Sequence, residues 1–301
     1  MNRPIGIVGK SGQVASALSR LGSERGQNII ARGRPGLDLA KPASIEKFLN
    51  DVRPAIIVNA AAFTAVDKAE TDRENAFSIN ALGPGALAHA CAARDLPLIH
   101  ISTDYVFDGS NKTPYKETDL RKPLGVYGAS KAAGEVAVET AAPRHIILRT
   151  AWVYAVEGNN FVHTMLRLGR EREELGVVSD QHGTPTFADD IAMAILDIIP
   201  SLLSEPPESK LWGTYHLTGG GATTWHGFAK EIFRLAHERG IKTPKLKAIT
   251  TTDYPTPARR PANSVLDCSK IKNTFGIRPE PWEKSLKRAI VPILDSSAIF
   301  S

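Results

Sequence analysis

Cysteine is scarce in this chain, which has 301 residues and only two cysteines, Cys91 and Cys268. Two thiols are too few for a disulfide-stapled scaffold, and such scarcity is typical of proteins that fold in a reducing compartment. Long apolar runs are also missing: none approaches the length of a membrane span, and no secretory pattern precedes the first strand. We therefore expect a cytoplasmic protein without a membrane partner.

Metal-binding and nucleophile motifs are absent as well. The eight histidines form no HExxH pattern and no Cys/His cluster, so we predict no metal ligands. No Gly-x-Ser-x-Gly turn is present, which argues against a serine hydrolase. The net charge of +5 is spread along the chain without a Lys/Arg block. Nucleic acid is therefore not an expected partner, whereas an anionic small substrate is compatible, and the chemistry that remains is that of an organic redox cofactor.

The first strand leads directly into a glycine turn. Residues 4–8 (PIGIV) have the pattern of a short buried strand, residues 9–14 (GKSGQV) follow, and apolar residues then recur at helical spacing. In such a strand–turn–helix the backbone N–H groups and the positive helix end face an anion, which makes a phosphate cradle. Glycines at 6, 9 and 12 fit the dinucleotide-binding theme with altered spacing. A nucleoside-triphosphate P-loop is excluded, because that motif needs a glycine where Pro4 stands.

Apolar strands alternate with helix-length stretches along the chain. The predicted elements are strands at 28–31, 55–58, 98–102, 145–148 and 214–217, and a threonine-capped helix at 223–237. This alternation predicts an α/β fold with a Rossmann-like, doubly wound parallel sheet and a smaller, partly interleaved substrate-binding domain. We expect residues 1–150 to form the dinucleotide-binding domain, with the segment 187–218 returning to it, and 151–301 to form mainly the substrate-binding portion.

Three side chains form a candidate proton-relay site. Tyr127 and Lys131 lie four residues apart, so on a helix they share one face. A phenol is a poor acid or base at neutral pH until a neighbouring ammonium lowers its pKa. Thr103, at the end of the preceding strand, could hold a carbonyl oxygen beside the phenol. The set therefore suits interconversion of a carbonyl and an alcohol.

The residues after the second strand bear on the choice of cofactor. An acidic side chain usually follows this strand and accepts the ribose hydroxyls of NADH. Here Gly33 stands between Arg32 and Arg34. Two guanidinium groups could pair with a 2'-phosphate, so we predict NADPH over NADH.

Taken together, these motifs resemble the extended short-chain dehydrogenase/reductase family, and within it the dTDP-4-dehydrorhamnose reductase family. The resemblance extends over nearly the whole chain and is carried by the glycine turn and by 58–70 (VNAAAFTAVDKAE), 102–109 (STDYVFDG), 127–131 (YGASK), 149–154 (RTAWVY), 158–168 (GNNFVHTMLRL), 180–186 (DQHGTPT) and 254–264 (YPTPARRPANS).

The resemblance implies a role for each matching residue. Thr103, Tyr127 and Lys131 are implied to be catalytic. The implied cofactor contacts are Gly12, Gln13 and Val14 at the phosphates, Asp38 and Leu39 near the adenine, Ala62, Phe63 and Thr64 in the cofactor cleft, and Tyr127 and Lys131. The glycine turn adds Gly9 and Ser11 to the predicted cofactor contacts, and the loop after the second strand adds Arg32 and Arg34. The implied substrate contacts are Val66, Thr103, Asp104, Trp152, Asn159, Asn160 and Arg260. The implied reaction is reduction of the 4-keto group of dTDP-4-dehydro-L-rhamnose, and a homodimer and a Mg²⁺ ion without assignable ligands are further implications.

Two other functions share this pattern. A sugar-nucleotide epimerase or dehydratase would use the same scaffold and the same tyrosine–lysine pair. However, a dehydratase is expected to place acidic residues directly after the threonine, and here Asp104 is followed by Tyr105. A regulatory subunit that binds the nucleotide without turnover is the second alternative, and the retention of all three relay residues argues against it.

Overall fold

A computed structural model describes residues 3–295 of the protein, so the outermost residues of the two predicted portions, 1–2 and 296–301, lie outside the described residues. The strands are β1 Ile5–Val8, β2 Ile29–Arg32, β3 Ile56–Asn59, β4 Leu98–Thr103, β5 His145–Thr150, β6 Val153–Tyr154, β7 Glu174–Val178, β8 His182–Gly183, β9 Thr186–Phe187, β10 Gly213–His216, β11 Thr223–Thr224 and β12 Lys245–Ile249.

The helices are α1 Gln13–Glu24, α2 Pro42–Val52, α3 Val66–Ala69, α4 Arg73–Phe77, α5 Gly83–Ala92, α6 Val126–Ala141, α7 Phe161–Glu171, α8 Ala188–Leu203, α9 Trp225–His237, α10 Ser269–Phe275 and α11 Trp282–Asp295. A π-helical turn, Ser78–Leu82, joins α4 to α5, and short 3₁₀ turns occupy Asp104–Val106 and Thr251–Asp253.

Six strands form one parallel sheet in the order β10-β5-β4-β3-β1-β2. The predicted α/β class and doubly wound parallel sheet are confirmed. Each predicted strand exists, although β2, β3 and β10 are displaced by one residue and β5 runs two residues further than predicted. The strand order reverses between β1 and β3, and in open α/β sheets ligands bind outside the carboxyl ends of the strands at this switch point.

Apolar helices cover both faces of the sheet. One buried layer places Leu18 of α1 and Ile195 of α8 against the sheet, and the opposite layer places Phe48 of α2 and Leu87 of α5 against it. Both α8 and β10 follow residue 187. The chain therefore leaves the central sheet after β5, forms α7 and β7 elsewhere, and then returns to the sheet with α8 and β10. Burial of these side chains, at roughly 25 cal/mol per Å² of apolar surface, stabilises the platform on which the site lies.

A second hydrophobic core lies between α7, α9 and α11 and the short parallel pair formed by β7 and β12. Helix α9 begins two residues later than predicted, because Thr223 and Thr224 first pair with β8. The Thr224 hydroxyl then caps the helix by accepting a hydrogen bond from the Gly227 N–H at 3.0 Å, as the predicted threonine cap requires. Within residues 3–295, no helix combines the length and apolarity needed to cross a bilayer.

Candidate active site

The glycine turn after β1 has the backbone of an anion cradle. Gly9 adopts a φ of 116°, which side-chain-bearing residues rarely reach, and Gly12 is the exposed N-cap of α1. Ser11 is exposed, whereas Val14 is directed into the core, so Val14 can offer a ligand only its backbone N–H. The side-chain Oε1 of Gln13 is buried and accepts no hydrogen bond within the described part of the chain. The turn therefore presents backbone donors with little side-chain obstruction.

The loop after β2 lies directly beside this cradle. A Cβ added to Gly33 would approach the Lys10 backbone nitrogen to 3.2 Å. Arg32 and Arg34, on either side of Gly33, are exposed, and no ion pair occupies either guanidinium among the residues described. The structure thus places the loop that carries Arg32 and Arg34 next to the glycine turn, although helix α1 lies between these two segments in the sequence.

The predicted adenine contacts, Asp38 and Leu39, follow this loop. The Asp38 carboxylate accepts the Ala40 N–H at 3.0 Å, so its geometry is fixed locally. Leu39 is 5% exposed and packs closely against Gly83 at the start of α5. The Leu39 side chain consequently has little surface left for a ligand.

The loop after β3 is held by a residue that the sequence analysis missed. Asn80, buried in the π-helical turn, accepts the Phe63 N–H at 2.8 Å and donates to the Phe63 carbonyl at 3.0 Å. Its amide also donates to the Ser130 hydroxyl at 3.0 Å, and that hydroxyl donates to the Tyr127 carbonyl at 2.8 Å. The predicted cofactor loop, Ala62–Thr64, is therefore tied to α6. The available signal was an asparagine between apolar residues at 79–82 (INAL).

Thr103 ends β4 and points toward the start of α6. Its hydroxyl accepts the Tyr105 N–H at 3.2 Å and donates to Asp104 Oδ1 at 2.9 Å. Asp104 is 2% exposed, and burial raises the pKa of its carboxyl to about 6, against hydrogen bonds that lower it. A hydroxyl has one proton. For Thr103 to donate to a carbonyl oxygen, that proton must turn away from Asp104.

Helix α6 carries Tyr127 and Lys131 into the site. A Cβ on Gly128 would overlap the Tyr105 carbonyl oxygen, so glycine allows α6 to approach this closely. The Tyr127 ring meets the edge of Tyr105 at a centroid distance of 5.5 Å. Burial raises the pKa of the Tyr127 phenol, and the Thr103 hydroxyl opposes this shift. The phenol is therefore protonated at neutral pH.

Lys131 is almost fully buried, at 2% exposure, and its ammonium donates to the Ile101 carbonyl at 2.7 Å. Burial lowers the pKa of Lys131 to about 8, while the carboxylate of Glu135 acts in the opposite direction. The sequence predicted that Lys131 would lower the pKa of Tyr127. That lowering is not found in this arrangement. Burial has the largest effect on the pKa of the Tyr127 phenol, and the Lys131 ammonium is hydrogen-bonded to the Ile101 carbonyl of β4.

A cavity of about 430 Å³ opens beside Tyr105, between α7, β7 and β12. Arg260 lies at its rim, where it donates to the Tyr105 hydroxyl at 3.2 Å and to Asp67 Oδ2 at 2.8 Å. The apolar wall includes Phe161 and Trp225. The combination of aromatic rings and a partly buried cation suits a nucleotide better than a simple sugar.

The other predicted substrate residues divide into two groups. Val66 is half-buried at the start of α3, next to Asp67, and Trp152 has a φ of 46° and stacks on Trp225 at a centroid distance of 3.5 Å. Both therefore border the region around the cavity. Asn159 is exposed, and the Asn160 carboxamide caps α7 by accepting the Val162 N–H at 3.0 Å. A ligand would have to compete with this cap for the Asn160 oxygen.

Metal ligands do not cluster in the described chain. Between residues 3 and 295, no three His, Cys, Asp or Glu side chains come together in a way that could hold a metal ion. Asp189 and Asp190, adjacent acids at the start of α8, pair instead with Arg20 and Arg288. Residues 3–295 therefore assign no ligands to the Mg²⁺ ion that the resemblance implied.

Known proteins match this chain over nearly its full length. The sequence model of the RmlD substrate binding domain family matches residues 3–294. A dTDP-4-dehydrorhamnose reductase of Sinorhizobium fredii is 47% identical over 290 residues, which are 96% of this chain and 97% of that protein. The crystal structure of a dTDP-4-dehydrorhamnose reductase from Clostridium acetobutylicum superposes with a TM-score of 0.90 at 38% identity, covering 97% of this chain and 100% of the other.

A dTDP-4-dehydrorhamnose reductase structure from Bacillus anthracis, in complex with NADP, has a TM-score of 0.89 at 35% identity and covers 97% of this chain and 99% of the other. Both the sequence identity and the shared architecture extend through the sheet and through the second core. The resemblance expected from the motifs is thereby confirmed. The chain belongs to the RmlD substrate binding domain family, that of the dTDP-4-dehydrorhamnose reductases.

Proposed function

We propose that this protein reduces the 4-keto group of dTDP-4-dehydro-L-rhamnose to give dTDP-L-rhamnose, with NADPH as the reductant, for the biosynthesis of cell-surface polysaccharide. The observation that carries the proposal is the convergence of Thr103, Tyr127 and Lys131 at the carboxyl edge of a sheet whose first turn is an anion cradle. The chain's membership of the family and its similarity to an NADP-bound relative support the same assignment.

The residues supply orientation and a proton. A reduced nicotinamide delivers hydride to the carbonyl carbon, and the carbonyl oxygen then becomes an alkoxide. Tyr127, whose phenol is held protonated by burial, donates its proton to that oxygen. The Thr103 hydroxyl turns from Asp104 to the carbonyl oxygen and stabilises its growing charge. Lys131 binds the nicotinamide ribose and passes a proton to the tyrosinate, which restores the acid.

The cofactor preference rests on charge. Arg32 and Arg34 are exposed beside the phosphate loop, and Gly33 offers no carboxylate for the ribose hydroxyls. A 2'-phosphate would gain charge-assisted hydrogen bonds from the two guanidinium groups, and NADH would gain none. NADPH is therefore the proposed reductant, with NADH the weaker substrate.

The nucleotide half of the substrate is assigned to the cavity beside Tyr105. The base would pack against the aromatic wall that includes Phe161 and Trp225, and Arg260 would face the diphosphate. The sugar would then extend past Tyr105 toward Tyr127. In this assignment residues 1–150, with the returning segment 187–218, bind the cofactor and the remainder of the chain binds the sugar nucleotide.

The test is a coupled assay with the purified protein, NADPH and a panel of 4-keto sugar nucleotides. We expect stoichiometric loss of NADPH with dTDP-4-dehydro-L-rhamnose and a product with the stereochemistry of dTDP-L-rhamnose. An epimerase would change the sugar without net oxidation of the cofactor. A regulatory subunit would bind the cofactor but show no oxidation dependent on the keto sugar. Either result would contradict the assignment, and sedimentation equilibrium would test the predicted homodimer.

A further inference from the structure

Two buried polar side chains beneath Lys131 have no part in the mechanism described so far. Asn59 ends β3 and His100 lies on the adjacent strand β4, with exposures of 1% and 0%. An unpaired buried polar group costs about 1–3 kcal/mol, so the hydrogen-bond partners of these two side chains constrain how they are oriented. Asn59 contacts His100, and His100 in turn contacts Lys131.

The first link fixes the orientation of the Asn59 amide. The Ala61 backbone N–H lies 3.2 Å from Asn59 Oδ1. A backbone N–H can only donate, so the atom that faces it must be the amide oxygen. The amide nitrogen of Asn59 then faces His100 Nδ1 at 3.0 Å.

The second link fixes the tautomer of His100. An amide NH₂ can only donate, so His100 Nδ1 must accept, and the ring proton is assigned to Nε2. His100 Nε2 lies 3.4 Å from Lys131 Nζ. Burial lowers the pKa of His100 well below its ordinary value, with the charges of Lys131 and His145 acting in the same direction, so the ring is neutral.

The consequence concerns the charge on Lys131. An ammonium at Nζ would face the N–H dipole of His100, whereas a neutral amine could accept a hydrogen bond from it. The Ile101 carbonyl accepts from Nζ at 2.7 Å in either form. Among the described groups, Glu135, one turn along α6, is the carboxylate that favours the ammonium. The N–H of the His100 ring, on β4, has the opposite effect and disfavours the ammonium form of Lys131.

We propose that Asn59 and His100 are positioning residues for Lys131, which hold Nζ beside β4 and present to it a ring N–H that disfavours the ammonium form. This inference rests on the proposed role of Lys131 in the proton relay. A lysine that gives up its proton readily can reprotonate Tyr127 after each turnover. Asn59 and His100 would therefore set the pH range of the enzyme without touching the substrate.

The direct test is the tautomer of His100, measured in the cofactor-free wild-type protein by ¹⁵N-histidine NMR at a pH above the pKa of Lys131. The His100 resonance is identified by its loss in His100→Gln. We expect the proton on Nε2. A proton on Nδ1 would overturn the proposal, and this result does not depend on whether the enzyme reduces the keto sugar.

The functional test is Asn59→Asp, with Asn50→Asp on the exposed face of α2 as the matched control. A carboxylate at 59 would draw the ring proton to Nδ1 and turn the Nε2 lone pair toward Lys131, which favours the ammonium. We expect the alkaline limb of the kcat/KM profile to move upward by about one pH unit in Asn59→Asp and to stay in place in the control. An unmoved limb in a folded Asn59→Asp protein would contradict the proposal, and if that variant does not fold, the tautomer measurement decides.

Discussion

Glu135→Gln should destabilise the protein more than any other single change in charge on α6. The Glu135 carboxylate is 0% exposed and accepts from Ser102 Oγ at 2.6 Å. It also accepts from Arg149 Nε at 2.9 Å and Arg149 Nη2 at 2.7 Å. Arg149 is itself 2% exposed. The substitution leaves its guanidinium without the buried anion, and breaking a buried pair by removing one partner costs about 3–5 kcal/mol.

The matched control is Glu139→Gln, one turn further along the same helix. Glu139 is bonded to Arg121 at 3.0 and 3.1 Å, but its side chain is 33% exposed. Partly exposed pairs of this kind contribute about 0–1 kcal/mol. Urea unfolding at neutral pH should therefore separate the two variants by about 2 kcal/mol or more in the free energy of unfolding. Equal losses would refute the conclusion that the Glu135–Arg149 pair anchors α6 to the sheet.

The same substitution has a second effect, on catalysis. Burial lowers the pKa of Lys131 to about 8, and the Glu135 carboxylate opposes that shift. Removing the carboxylate should lower the pKa further, so the ammonium form is lost at a lower pH. The alkaline limb of the kcat/KM profile should then move downward in Glu135→Gln. A limb that moved upward would contradict the assignment of this limb to Lys131.

Three further predictions test the site. Tyr127→Phe keeps the ring and deletes the transferable proton, so kcat should fall by about 100-fold or more while NADPH still binds; near-normal turnover would exclude Tyr127 as the acid. The double variant Arg32→Ala, Arg34→Ala should lose kcat/KM for NADPH selectively, and equal losses with NADH, or a wild-type preference for NADH, would contradict the 2'-phosphate contact. Gly128→Ala adds a Cβ that overlaps the Tyr105 carbonyl oxygen, so α6 must shift and kcat should fall; unchanged kcat and unfolding midpoint would show that the close approach is not needed.

Much of the candidate site was proposed from the sequence because its residues follow local spacing. The strand and glycine turn from residue 5 to residue 12 are adjacent in the chain, and Tyr127 and Lys131 share a face because a helix repeats every 3.6 residues. The alternation of strands and helices likewise predicted the parallel sheet. The errors in the predicted secondary structure were small displacements at strand ends and at the start of α9, where Thr223 and Thr224 pair with β8 instead of joining the helix.

Only the tertiary structure determined which distant residues meet. Arg260 bonds to Tyr105 across 155 residues of chain, and Asn80 joins the loop after β3 to α6. Such contacts cannot be predicted from periodicity in the sequence, because they depend on the order of the strands in the sheet and on how the helices pack on it. The protonation of the relay is also a tertiary property. The pKa values of Tyr127 and Lys131 move in opposite directions because the fold removes both groups from water, and burial disfavours whichever form carries the charge.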